Sequence, residues 1–68
     1  MTRTAELSDR EAQEERRLWA DYYEATARAL EIMQREGTAE AHVVSRIVAE
    51  HVAAAHALAR IKKIRGIR

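Results

Sequence analysis

The sequence contains no cysteine and no proline, and only two of its 68 residues are glycine. The absence of cysteine excludes disulfides and thiolate metal sites, which support many very small domains. The scarcity of proline and glycine leaves long stretches without a helix breaker. A chain of this length buries only about 60% of the surface that it exposes when unfolded. We therefore expect oligomerisation to supply part of its stability.

Long uncharged segments are also missing. The longest stretch without a formal charge extends from His51 to Ala59, far short of the ~20 apolar residues that cross a membrane. The first residues, MTRTAELSD, lack the apolar segment of a signal peptide. These absences predict a cytoplasmic protein without a membrane span.

Alanine supplies 14 of the 68 residues, and glutamate and arginine are also frequent, a composition typical of long helices. Ser8 and Glu11 have the spacing of a capping box at a helix start. Gly37 and Gly66 suit helix ends, and Thr38 suits the start of a second helix. The pattern predicts an all-α antiparallel hairpin, with helix 1 over about 9–36, a turn at 37–38 and helix 2 over about 39–65.

Helix 2 is predicted to be apolar on more than one side. Between Ile47 and Ala59, only Glu50, His51 and His56 are polar. A single partner helix does not cover such a surface. We therefore expect two or more hairpins to associate, most simply as a homodimer that forms a four-helix bundle. The predicted oligomer interface consists of Val44, Ile47, Val48, His51, Val52, Ala55 and Leu58.

The two ends of the chain carry opposite charge. Residues 5–36 hold nine acids and five bases, and residues 60–68 hold five bases and no acid. In a hairpin these segments lie side by side, which predicts ion pairs such as Arg60 with Glu14, Lys63 with Glu11 and Arg65 with Asp9. The helical wheel also places Glu11 and Glu15 on the core side of helix 1, and Lys62 and Arg65 on that of helix 2. We favour a structural role for these charges.

Nucleic-acid binding is the alternative role of the basic segment, because several bases close together can neutralise several phosphates. No aromatic residue that could stack on a base lies near this segment. The residues that would contact nucleic acid are Arg60, Lys62, Lys63, Arg65 and Arg68.

His51 lies in a predicted apolar row with Val44, Ile47, Ala54, Leu58 and Ile61. The expected register places it opposite Tyr23 and next to Tyr22, so that a tyrosine hydroxyl could bond to its ring. A small ligand or a metal ion bound near His51, Tyr22 and Tyr23 is an alternative. The sequence has no pattern of metal ligands, so we predict no metal site, and we expect His42 and His56 to be solvated.

No constellation of catalytic residues is visible, so we expect neither an enzyme nor a bound cofactor. The leading hypothesis is a non-enzymatic interaction module, such as an adaptor, regulator or assembly factor, that self-associates and binds a protein partner. Nucleic-acid binding by residues 60–68 and ligand or metal binding near His51 remain the two alternatives.

Overall fold

The computed structural model of the protein describes residues 8–66. They form two α-helices, α1 (Asp9–Glu36) and α2 (Ala41–Arg65), which pack against each other as an antiparallel hairpin. No strand occurs within this part of the chain. The predicted all-α class and the helical hairpin are therefore confirmed.

Helix α1 begins with the predicted capping box. The Ser8 hydroxyl accepts a hydrogen bond from the Glu11 amide, and the Glu11 carboxylate accepts one from the Ser8 amide, both at 3.1 Å. At the other end, the Gly37 amide donates to the Met33 carbonyl at 2.9 Å, and Gly37 has φ +76°. This left-handed φ favours glycine, because a Cβ atom would raise the conformational energy of the backbone there.

Helix α2 begins later than predicted. Its N-cap is Glu40, an extended residue whose carbonyl accepts from the Val43 and Val44 amides at 3.1 and 3.0 Å. Residues 37–40 therefore form a four-residue connection, and Thr38 does not cap the helix. At the C-terminal end, Gly66 adopts the predicted left-handed conformation. The sequence also predicts that Ile67 folds back onto Ile61 at this helix end, but Ile67 lies outside the described residues.

The two helices meet along a narrow seam. On α1 its buried members are Glu15, Leu18 and Ala25. On α2 the seam follows residues spaced alternately by four and three, the pattern of a coiled coil: Val43, Ile47, Glu50, Ala54, Ala57, Ile61 and Ile64. The largest buried cluster in residues 8–66 consists of Leu18, Ala57 and Ile61, against which Trp19, Tyr22 and Ile64 pack.

The predicted seam of α2 was correct for Ile47, Ala54 and Ile61, but at the alternate positions the seam residue is the preceding one in sequence. Val44 and His51 are exposed in the hairpin, whereas Val43 and Ala57 are buried. A helix with small apolar residues on every side gives a weak signal of rotation. The observed rotation of α2 places Glu50 on the seam, where it pairs with Arg28 of α1. A second ion pair between the helices joins Arg46 to Glu36.

The molecule is a thin rod of 53 × 20 × 12 Å with a radius of gyration of 15.4 Å. A compact chain of 68 residues has a radius of gyration of about 11 Å. Its accessible surface is 5541 Å², whereas a folded monomer of this mass exposes about 4,400 Å². A single layer of two helices therefore leaves an unusually large surface uncovered.

Candidate functional site

Helix α1 carries a row of mostly apolar side chains beside the seam. Trp19, Tyr23, Thr26, Leu30 and Met33 follow one another at alternating spacings of four and three residues, so they lie along one side of the helix. Tyr23 is 63% exposed and Leu30 52% exposed. On a helical wheel of the sequence, all five lie within the apolar half of helix 1, which is predicted to face helix 2. Their own regular spacing of four and three residues was the sequence signal that could have shown that they form a row distinct from the seam.

Helix α2 carries a matching row with the same spacing: Val44, Val48, His51, Ala55 and Leu58. Val48 is 51% exposed, and His51 and Ala55 are also exposed. All five residues belong to the predicted oligomer interface. Of its other two members, Ile47 is a half-buried seam residue and Val52 is an exposed residue on the outer side of α2.

A groove joins the two rows on one side of the hairpin. It has a volume of about 310 Å³, and its lining residues come from both helices: Thr26, Ala29, Leu30, Met33, Ile47, Val48, His51 and Ala54. Since members of both rows line it, the rows lie on the same side of the molecule. We call the ten residues of the two rows the apolar face.

An aromatic cluster occupies one end of the apolar face. The rings of Trp19 and Tyr23 are stacked with centroids 5.7 Å apart, and Tyr22 meets both rings edge-on at 5.6 and 5.3 Å. Stacked and edge-on pairs are the favourable arrangements of aromatic rings. The cluster gives the apolar face a rigid, amphipathic patch of the kind that is enriched at protein interfaces.

The opposite side of the hairpin is charged, and many of its charges are paired within the chain. Arg28 lies 3.2 Å from both Glu24 and Glu50, and Arg35 lies 3.3 Å from Glu31. Two shallow grooves on this side are lined by charged residues together with a histidine and several apolar residues: Leu18, Ala25, Ile32, Ala49, Ala53, His56 and Ala57. We call this side the charged face. Ala49 lies on it, although its neighbour in sequence, Val48, lies on the apolar face.

The end of the hairpin opposite the connection, where α1 begins and α2 ends, is called the open end. It contains a buried carboxylate. Glu15 is 8% exposed and accepts two hydrogen bonds of 2.9 Å from the Arg65 guanidinium and one of 3.1 Å from the Trp19 indole. The hydrogen bonds from Arg65 are the main cause of a lowered pKa of the Glu15 carboxyl, and the Trp19 bond acts in the same direction. The same contact raises the pKa of Arg65.

The predicted pairing of the basic segment was wrong in register. Arg65 pairs with Glu15 rather than with Asp9, because the four-residue connection shifts α2 along α1. Within residues 8–66, no ion pair joins Arg60, Lys62 or Lys63 to a carboxylate. A single bidentate pair therefore replaces the predicted series, and Arg68 lies outside the described residues.

His51 is not in the environment that the sequence predicted. It is exposed in the groove with Thr26, Ala29 and Leu30, and no side-chain hydrogen bond within residues 8–66 joins it to Tyr22 or Tyr23. The two tyrosines lie further toward the open end, in the aromatic cluster. Across the described part of the chain, no three histidine or acidic side chains come together as metal ligands would.

Comparison of the chain with protein-family models, with curated proteins and with solved structures gives no match. Neither helix in the described range has the length and apolar character needed to cross a membrane.

Proposed function

We propose that the protein is a non-enzymatic interaction module that self-associates through its apolar face. Two hairpins placed apolar face to apolar face form a four-helix bundle, in which Val44 and Val48 of α2 and Leu30 of α1 become interior residues. The charged faces then lie on the outside of the bundle and are available to a protein partner. An adaptor, a regulator or an assembly factor has these properties. The cytoplasmic location stays a prediction.

The observation that carries this proposal is the exposure of large apolar side chains along one side of a molecule with little interior. Tyr23, Leu30, Val44 and Val48 are all exposed on the apolar face. No large side chain in the described range is fully buried. Contiguous exposed apolar surface of this kind marks interaction sites, because its burial releases water from apolar groups.

The two alternative functions have less support. Arg60, Lys62 and Lys63 are available for phosphate contacts. Trp19 and Tyr22 pack against the seam cluster, and the exposed Tyr23 ring is stacked on Trp19, so few ring faces are left for stacking on bases. The groove at His51 is lined mainly by aliphatic side chains, which gives a polar ligand few partners. Both functions remain predictions that the experiments below can separate.

Two adjacent substitutions test the proposal. Val48→Glu places a charge on the apolar face, and Ala49→Glu places the same charge on the charged face, so the pair is matched in helix position and chemistry. We expect the wild type and Ala49→Glu to sediment as a dimer or a larger species, and Val48→Glu to sediment as a monomer. The wild-type melting temperature should also rise with protein concentration.

A wild type that sediments as a 7.8 kDa monomer at every concentration, with a concentration-independent melt, would contradict the proposal. Circular dichroism of both variants shows whether their helices are intact. If Val48→Glu unfolds, the weaker substitution Val48→Thr should still reduce association more than Ala49→Thr does, because only Val48 lies on the apolar face.

A further inference from the structure

We propose that the second copy packs against the apolar face in the opposite direction, so that His51 of each hairpin meets His51 of the other at the two-fold axis. This inference rests on the self-association proposed above and adds the direction and register of the pair. Two face-to-face hairpins have two symmetric arrangements. Their open ends lie either at the same end of the bundle or at opposite ends, and the structure favours opposite ends.

The first argument is the position of the polar residues on the apolar face. Thr26 is the middle member of its row of five, and His51 is the middle member of the other. Both line the same groove, so they lie at a similar height along the rod. A two-fold axis that crosses the rod at this height brings each row against its own copy in reverse order, with polar residues at the centre and apolar residues on either side.

The second argument is charge complementarity between the two halves of the hairpin. Divided at the height of Thr26 and His51, the half at the open end, residues 8–25 and 52–66, contains seven bases and six acids, a net charge of +1. The half at the connection, residues 27–50, contains three bases and four acids, a net charge of −1. Opposite packing places each positive half against a negative half, whereas packing with the open ends together places like charges side by side.

The third argument concerns the ends of the apolar rows. Arg16 precedes Trp19 by three residues, and Lys62 follows Leu58 by four, so each continues a row toward the open end. No charged residue continues the rows toward the connection, where Met33 and Val44 are the last members. Packing with the open ends together brings Arg16 and Lys62 of both copies into one place. Opposite packing separates them by the length of the bundle.

A pair of histidines at the axis gives this arrangement a specific register. Within the described hairpin, His51 has no side-chain hydrogen bond, whereas the Thr26 hydroxyl already donates to the Tyr22 carbonyl at 2.9 Å. A neutral imidazole has one donor and one acceptor nitrogen, so two of them can bond to each other. A polar pair in an apolar interface disfavours other registers, because sliding leaves both groups without a partner.

Cysteine cross-linking tests the direction directly, since the chain has no cysteine of its own. In the opposite arrangement, His51→Cys should form a covalent homodimer on oxidation, and a mixture of Val44→Cys and Leu58→Cys should form a heterodimer. We expect His51→Cys to cross-link about tenfold or more faster than Ala49→Cys, because association raises the effective concentration of facing thiols.

Packing with the open ends together predicts a different product, a heterodimer between His51→Cys and Thr26→Cys in a mixed sample. That product, without the His51→Cys homodimer, would overturn the proposed direction and leave self-association intact. A monomer in sedimentation would remove both proposals. Spin labels at Lys63→Cys give a second measurement that does not alter the interface. Opposite packing separates the labels by about 36 Å along the axis, whereas the other arrangement places their helices about 14 Å apart.

Discussion

Arg65 holds the carboxylate of Glu15 with two hydrogen bonds of 2.9 Å, and this contact joins the last turn of α2 to the second turn of α1. The two residues are 50 positions apart in sequence. Glu15 is the buried charged residue of the described hairpin, and the Trp19 indole donates a third hydrogen bond to it. The contact fixes the register of the helices at the end opposite the connection.

The first prediction follows from the lowered pKa of Glu15. The folded state binds this proton less readily than the unfolded chain, whose carboxyl has the ordinary pKa of 4.5. The stabilisation by the contact is therefore present above that value and is lost as the pH falls through the lower folded pKa. We expect Glu15→Gln to lower the melting temperature at neutral pH, and the difference from wild type to shrink below about pH 4.

Glu31→Gln is the control for this effect. Within residues 8–66, Glu31 pairs only with Arg35, on the exposed surface of α1, where such pairs contribute about 0–1 kcal/mol. Its melting temperature should follow that of the wild type across the same pH range. An equal pH dependence in Glu15→Gln and wild type would show that the Arg65 contact does not stabilise the fold.

The second prediction separates two bases of the same segment. Arg65→Glu should destabilise the hairpin, because it places a like charge against the buried Glu15 carboxylate. Lys62→Glu should change stability by no more than about 0.5 kcal/mol, since Lys62 has no ion pair within residues 8–66. Adding Glu15→Arg to Arg65→Glu should recover part of the loss, as coupled residues require. Equal losses in Arg65→Glu and Lys62→Glu, measured by urea unfolding, would contradict the register described here.

The sequence was sufficient to predict the hairpin because its helix signals are local. The capping box of Ser8 and Glu11 and the left-handed Gly66 each depend on a few neighbouring residues, and both are present. The wheel also placed Glu15 and Arg65 on the core sides of the two helices, but it placed Glu11 and Lys62 there as well, and these two are exposed. The sequence did not predict that Arg65 pairs with Glu15, because the choice of partner depends on the length of the connection between the helices. Glu40 ends the connection without the side-chain cap that would have signalled it.

The rotation of α2 was harder to predict for a physical reason. Val43 and Val44 are equally apolar neighbours, and alanines surround the middle of the helix, so a rotation of one residue changes the predicted burial little. Ion pairs across the seam, Arg28 of α1 with Glu50 of α2 and Arg65 of α2 with Glu15 of α1, decide between the two rotations. The consequence was that His51 was assigned to the interior of the hairpin, whereas it lies on the apolar face.

The third prediction compares the seam with the exposed surface. Leu18→Ala and Ile61→Ala remove buried side chains of the same cluster and should each cost about 2–5 kcal/mol, enough to unfold much of so small a domain. Val52→Ala, at an exposed position, should cost less than about 1 kcal/mol. Thermal unfolding followed by circular dichroism measures all three. If Val52→Ala lowers the free energy of unfolding as much as Leu18→Ala does, Val52 must be buried in solution, which would contradict its exposed position in the hairpin.

The fourth prediction addresses nucleic-acid binding. If the basic segment has no such role, Arg60→Glu with Lys63→Glu should leave the protein's interaction with DNA and RNA unchanged, and wild type should show no steeply salt-dependent binding. Fluorescence anisotropy with labelled single-stranded and duplex probes is the measurement. Binding that weakens steeply with salt and disappears in the double variant would instead establish the basic segment as a nucleic-acid site.

The fifth prediction uses Trp19, the single tryptophan of the chain, as a reporter of the apolar face. Its ring is half-buried and stacked on the exposed Tyr23, so a second hairpin on this face removes water from around it. We expect the emission maximum of Trp19 to shift to shorter wavelength as the protein concentration rises from micromolar to millimolar, since association follows mass action. Ala49→Glu should show the same shift. Val48→Glu should keep the emission of the dilute protein at every concentration while circular dichroism shows intact helices. A wild-type emission maximum that does not move with concentration, in a sample that sediments as a dimer, would show that the copies associate through a surface other than the apolar face.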